Sequence, residues 1–211
     1  MTDTANGRPA IFCDRDGVIN LGIRVDRADQ FELVPGAPAA LQSLRNAGFV
    51  LVLVTNQTSL GEDKDGNVVW PDARLNRQHL AEINARMEHL LGLKFDAIKF
   101  CPHAYWAPYN VDCDCHKPKP GMILEAAGEL NIDLSRSWMI GDRAPDMDAA
   151  AAAGVARRIL VTSGGHIENQ ADLVKGGLFV VPSIVEAARL IQNYQRLDDG
   201  GCWMPRGKGD R

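Results

Sequence analysis

Asp14 and Asp16 follow directly on the apolar run Ala10-Ile11-Phe12-Cys13 and precede Gly17. In extended backbone, side chains two residues apart share a face. The two acids therefore crowd one spot, and they repel unless a cation or a shared proton relieves them. Taken alone, Asp-Arg-Asp-Gly is also an ordinary solvated turn. Three further groups give it company: Thr55 after the run Phe49 to Val54, Lys117 in HKPKPG, and Asp142 after Trp138 to Gly141. A hydroxyl with neighbouring backbone amides at Thr55 can hold phosphate oxygens, although Thr-Asn is equally a turn dipeptide. The prolines around Lys117 restrict its backbone, which suits a cation that must point at one place. Lys119 reads as a solvated lysine of the same turn.

A second set of reactive side chains lies just upstream of Lys117. Cys101-Pro-His103 and Cys113-Asp-Cys115 supply three thiols and an imidazole. That donor set suits tetrahedral Zn²⁺, and four protein ligands make a closed, structural site. Such a metal would tie down loop 101–116, which delivers His116 and Lys117. Cys13 reads as a core thiol and Cys202 as incidental, while His79, His89 and His166 are left as structural.

The elements that must position these groups alternate. Apolar runs at 10–13, 49–54, 97–100, 138–140, 158–161 and 178–181 read as strands. Helical spacing follows at 37–47, about 72–91, 121–131, 146–153 and from Ser183 to about Tyr194, where Ser183 and Glu186 fit a capping box. Strand-helix alternation implies right-handed crossovers and a parallel sheet. The expected architecture is a Rossmann-like α/β domain over 8–195, with flexible tails at 1–7 and 196–211. Residues 21–34 read as a flap, and 58–71 as a loop with a small hairpin at Asp65-Gly66.

Composition narrows the partners. At 211 residues, with 45% apolar and 24% charged residues and a net charge of −4, the chain has no basic footprint for nucleic acid. Its longest apolar run is too short to span a bilayer, and its start has neither the basic nor the apolar region of a secretory signal. Five cysteines, three within fifteen residues, do not form an even disulfide framework. The expectation is a cytoplasmic monomer that meets a small metabolite, with no nucleic-acid or membrane partner.

In order along the chain, DRDGVIN, VTNQ, CPH, CDCHKPKPGM and GDRAPD resemble the signatures of the haloacid-dehalogenase superfamily. They are similar in particular to its capless, zinc-containing phosphatases of heptose bisphosphates and histidinol phosphate. The resemblance runs from about Pro9 to Gly165. It implies Asp14 as nucleophile, Asp16 as general acid/base, Thr55 and Lys117 as phosphate and charge-balancing groups, and Asp146 as a supporting acid. Mg²⁺ would be held by Asp14, the main chain of Asp16, and Asp142. Arg15, Asn56, Gln57, Thr58, His116 and Arg143 would contact substrate. The implied reaction is phosphomonoester hydrolysis through an aspartyl phosphate, with D-glycero-D-manno-heptose 1,7-bisphosphate as leading substrate. Histidinol phosphate is the alternative within the class, and a non-catalytic phospho-ligand binder the alternative outside it. Three features depart from the family pattern: His116 replaces an arginine, loop 58–71 is longer and acidic, and residues 22–25 differ from the usual substrate loop.

Overall fold

The computed structural model describes residues 7–22, 24–165 and 178–198. Six strands form one sheet: β1 (Ala10–Cys13), β2 (Val50–Asn56), β3 (Ala97–Cys101), β4 (Trp138–Gly141), β5 (Arg157–Val161) and β6 (Leu178–Val181). Their order is β3-β2-β1-β4-β5-β6, and every pairing is parallel. The chain builds outward from β1 to β3, then returns to the other side of β1 for β4. Sheets of this kind bind ligands beyond the strand carboxyl ends where the order reverses.

The sheet is covered on both faces, and the alternation within β1 shows how. Ile11 and Cys13 enter one core with Leu41, Leu44, Leu80, Ile83, Ile140 and Ile191. Ala10 and Phe12 enter the other with Met122, Ile123, Ala126, Met139 and Met147. The first layer carries α1 (Ala37–Asn46), α2 (Arg77–Leu91) and α5 (Ile184–Asp198); the second carries α3 (Gly121–Leu130) and α4 (Ala144–Ala153). None of the described helices is long and apolar enough to cross a membrane. Between Asp16 and Thr55 the described residues form only the flap, α1 and most of β2, with no cap domain among them.

Several boundaries differ from the sequence reading. Helix α2 begins at Arg77 rather than near Asp72, because the Asn76 side chain caps it by accepting from His79 N at 2.8 Å. His79 itself is exposed. The last helix passes Tyr194 and runs to Asp198, so residues 196–198 belong to the fold. Gly7 belongs to it too, accepting a hydrogen bond from Arg136. The rest of the expected tails, with Cys202 and His166, lies outside the described residues. The flap is anchored through Val25, Phe31 and Val34, all buried. The expected hairpin forms, with Glu62 bridging Val68 and Gly66 at φ +84° in its turn.

Candidate active site

Strand register decides which side chains meet. Cys13 pairs with Leu53 of β2 and with Ile140 of β4. One step on, Asp14 is level with Val54 and Gly141, so Thr55 and Asp142 emerge beside it at the same sheet edge. Lys117 arrives from the loop after β3 and crosses beneath them. Its Nζ lies 2.7 Å from Asp14 Oδ1 and 2.6 Å from Asp146 Oδ1, and it donates to Val54 O at 2.8 Å. All three side chains are buried.

Burial and charge act on this cluster together. Burial works against the Lys117 ammonium, but Asp14 and Asp146 outweigh it and hold the lysine above its ordinary range. Burial pushes the Asp14 carboxyl up, against the pull of Lys117. Burial, reinforced by the charges of Asp14 and Asp146, lifts Asp142 to about 7. Asp142 Oδ2 is buried with no hydrogen-bond partner. A Cβ at Gly17 or Gly164 would collide with this carboxylate, so both positions need glycine, and Gly17 also sits at φ +82°. Oxygens of Asp14, Asp142 and Asp146 lie within 4.8 Å of one another. An orphaned carboxylate oxygen in a buried anionic cluster fits a hard divalent cation. Asp146 has a second task at the start of α4, where its Oδ2 accepts from Arg143 N at 3.1 Å.

Asp16 sits at the cavity side of this cluster. Its carboxylate accepts from Arg15 Nε at 3.2 Å, Arg15 Nη2 at 3.0 Å and Gln57 Nε2 at 3.1 Å. Gln57 Nε2 also donates to Thr55 Oγ1 at 2.9 Å, and Gln57 Oε1 accepts from Arg15 Nη2 at 3.0 Å. Arg15 is buried, and its Nη1 has no partner. Asn56 clamps the Lys117 backbone, accepting from its N–H at 3.1 Å and donating to its carbonyl at 3.2 Å. Asn56 Nδ2 also lies 3.2 Å from His116 Nε2. Burial, then the charge of Lys117, lowers the His116 pKa and favours the neutral ring.

Cys101, His103, Cys113 and Cys115 converge, with their ligand atoms within 4.8 Å of one another. Cys101 Sγ lies 3.6 Å from His103 Nδ1 and 3.7 Å from Cys113 Sγ, while Cys115 Sγ lies 3.1 Å from His103 Nδ1 and 3.2 Å from Cys101 Sγ. Tetrahedral zinc with thiolates needs ligand-to-ligand edges of about 3.5–3.8 Å. Two of these separations match and two are slightly shorter, so the donor set fits a possible Cys/His metal site. Lys119 takes no part; it is exposed and pairs with Asp112.

Comparison with known proteins identifies the family. A HAD-hydrolase-like family model matches residues 114–187. The D-glycero-beta-D-manno-heptose-1,7-bisphosphate 7-phosphatase of Vibrio cholerae is 40% identical over 173 residues, covering 78% of this chain and 87% of that protein. The chain belongs to the heptose-bisphosphate phosphatase family. Its Yersinia pestis member is 36% identical over 190 residues, 85% of this chain and 96% of that protein. Among solved structures, the D,D-heptose 1,7-bisphosphate phosphatase of B. bronchiseptica, complexed with magnesium and phosphate, superposes with a TM-score of 0.72. It is 29% identical and covers 88% of this chain and 99% of that one. Family membership makes the chain a phosphoric monoester hydrolase of the haloacid-dehalogenase-like fold.

Within this family frame, the structure gathers every residue singled out around Asp14. Arg15, Asp16, Thr55, Asn56, Gln57, Thr58, His116, Lys117, Asp142 and Arg143 all line one cavity of about 440 Å³. Sequence reasoning missed Tyr105 and Trp106, which line the same cavity. Their signal was present in AYWAPY, an aromatic run inside an otherwise polar loop. It also missed how loop 58–71 is fastened. Glu62 is buried, accepts from Arg77 Nε at 3.0 Å and Nη2 at 2.7 Å, and its backbone bonds to Pro102 and Ala104 of the cysteine loop.

Proposed function

We propose that this chain is a Mg²⁺-dependent phosphatase that removes the C7 phosphate of D-glycero-D-manno-heptose 1,7-bisphosphate through an aspartyl phosphate on Asp14. The observation carrying the chemistry is the buried Asp14–Lys117 pair beside the unpartnered oxygen of Asp142. The substrate rests on the family relatives named above.

Asp14 attacks phosphorus in line, forming the P–O bond to its carboxylate as the bond to the sugar oxygen breaks. Asp16 gives its proton to the departing alkoxide. It then accepts a proton from the water that attacks the aspartyl phosphate, so the bond to Asp14 breaks and inorganic phosphate leaves. Lys117 balances charge on the transferring group and holds Asp14 in place, which is where phosphoryl transfer is mostly won. Thr55 and nearby amides hold phosphate oxygens. Asn56 fixes the Lys117 backbone and, with Arg15, Gln57, Thr58, His116 and Arg143, lines the cavity that receives the substrate. Asp14, Asp142 and the main chain of Asp16 would hold Mg²⁺, which when bound neutralises charge on the phosphate oxygens.

Cys101, His103, Cys113 and Cys115 would hold Zn²⁺ in a structural role. Their free thiols accord with a reducing cytoplasm. The test is phosphate release from a panel containing the heptose bisphosphate, histidinol phosphate and other phosphorylated metabolites, with and without Mg²⁺. The heptose bisphosphate should rank first and require Mg²⁺. Preference for histidinol phosphate would overturn the substrate, and absence of turnover with every compound would overturn the mechanism.

A further inference from the structure

Part of the cavity wall is aromatic, formed by Tyr105 and Trp106. Trp106 stacks on Trp70 with centroids 4.6 Å apart and planes at 26°. Tyr105 meets the Trp106 edge at 6.1 Å and 80°, and stacks on His116 at 4.5 Å and 7°. This is a chain of ring contacts leading to His116, which adjoins Asn56 and hence the Lys117 backbone. Yet Tyr105 remains 59% exposed and Trp106 46% exposed, although both line the cavity with Asp14 and Lys117. Three of the exposed large apolar side chains among the described residues, Tyr105, Trp106 and Tyr109, fall in this one loop. Clustered exposed apolar surface in a rim of polar groups marks a contact site.

The rings are held as a platform. Trp70 comes from the long loop after β2, and Tyr105 and Trp106 follow His103 in the cysteine loop. The two loops are joined by the buried Glu62, whose backbone bonds to Pro102 and Ala104 immediately before Tyr105 and Trp106. Rigid aromatic surface of this kind gives contact area at little conformational cost. An aromatic face carries partial negative charge and favours the positive edge of C–H bonds. A closed sugar ring presents such an edge on its apolar face, whereas an open polyol does not hold one.

We propose that Tyr105 and Trp106, backed by His116 and Trp70, form a ring-stacking subsite that selects a cyclic sugar phosphate over an acyclic one. The inference deepens the substrate reading above. The β descriptor in the relatives' names specifies a closed ring, and with the C7 phosphate at Asp14 that ring extends into the cavity. Tyr105 and Trp106 are specificity-determining residues here; they take no part in the chemistry.

The experiment compares Tyr105→Ala, Trp106→Ala and Trp106→Phe with wild type on heptose 1,7-bisphosphate, mannose 6-phosphate and glycerol 3-phosphate. In parallel, tryptophan fluorescence of Asp14→Asn protein with Mg²⁺ is titrated with the same compounds. Each alanine variant should raise KM for the cyclic phosphates about tenfold, a loss of about 1.4 kcal/mol, with kcat changed less than twofold. Glycerol 3-phosphate kinetics should stay within twofold, and Trp106→Phe should restore most of the loss. Equal effects on cyclic and acyclic substrates would reduce the rings to loop packing and overturn the proposal, as would no effect on either. Failure of wild type on the heptose alone removes only the substrate reading, and mannose 6-phosphate against glycerol 3-phosphate then judges the platform. If no compound turns over, the fluorescence titration decides, and equal or absent binding of cyclic and acyclic phosphates overturns it.

Discussion

Asp14 and Lys117 form one buried ion pair, but the two substitutions should behave oppositely. Burial already disfavours a charge on Asp14, so an amide there suits the folded state, and Lys117 keeps Asp146 as a partner. Asp14→Asn should therefore fold with unchanged metal at the cysteine cluster while losing at least a thousandfold in turnover; activity within tenfold of wild type would sink the covalent route. Lys117→Ala instead strands two buried carboxylates, and breaking a buried pair typically costs about 3–5 kcal/mol. Denaturant unfolding should show that loss, and a midpoint matching wild type would mean the acids find another cation. Asp16 tests a different step. Asp16→Ala should slow turnover of an alkyl phosphate by about 10²–10⁴. It should slow formation of the aspartyl phosphate from p-nitrophenyl phosphate far less, because that leaving group departs without a proton. Equal slowing of both would show that Asp16 does something other than protonate the leaving group.

At the scale of elements, strands and reactive groups were legible while loop geometry was not. The runs at 10–13 and 178–181 matched β1 and β6 because a strand covered on both faces must be apolar throughout. Asp14, Thr55 and Asp142 were legible because each directly follows or ends such a run, so register alone brings them level. The start of α2 was misread because Asp72 to Asn76 contains polar residues compatible with a helix, and only the Asn76 cap fixes the true end. The Glu62–Arg77 pair could not be read, since fifteen residues separate partners whose meeting depends on how the loop folds. The cysteine loop joins both categories: its donors were visible, but not its contact with α3, where a Cβ at Gly121 would strike the Asp114 carbonyl. Cys113→Ser should lose the zinc proposed for this cluster and most turnover, and excess Mg²⁺ should not restore it, since the loop carries Lys117. The sheet should persist while the loop becomes protease-sensitive. Elemental analysis and turnover at saturating Mg²⁺ decide the matter, and full activity of metal-free protein would show that the loop holds itself.

For the whole molecule, the active site is a place where stability is given up for binding. The sheet reverses at β1, and its edge gathers carboxylates whose repulsion Lys117 only partly offsets. Burial first, and then the charges of Asp14 and Asp146, raise the Asp142 pKa from the usual carboxylate value to about 7. In the unfolded chain the same group ionises near 4. Below about pH 4 both states are protonated and Asp142 contributes no difference. Between about 4 and 7 the unfolded state releases its proton while the folded state keeps it, so stability falls as pH rises; above 7 the penalty is complete and constant. Asp14, shifted in the same direction, adds to the trend. Mg²⁺ binds the folded, ionised site, so its stabilisation should grow over the same interval. Thermal unfolding of protein freed of Mg²⁺ should therefore show a lower Tm at pH 8 than at pH 5.5, with added Mg²⁺ raising it much more at pH 8. Asp142→Asn isolates the group from other carboxylates, and it should flatten most of the pH trend and remove the Mg²⁺ response. An Mg²⁺ shift of equal size at both pH values in the wild-type protein would mean that the cation does not bind at the Asp14–Asp142 edge.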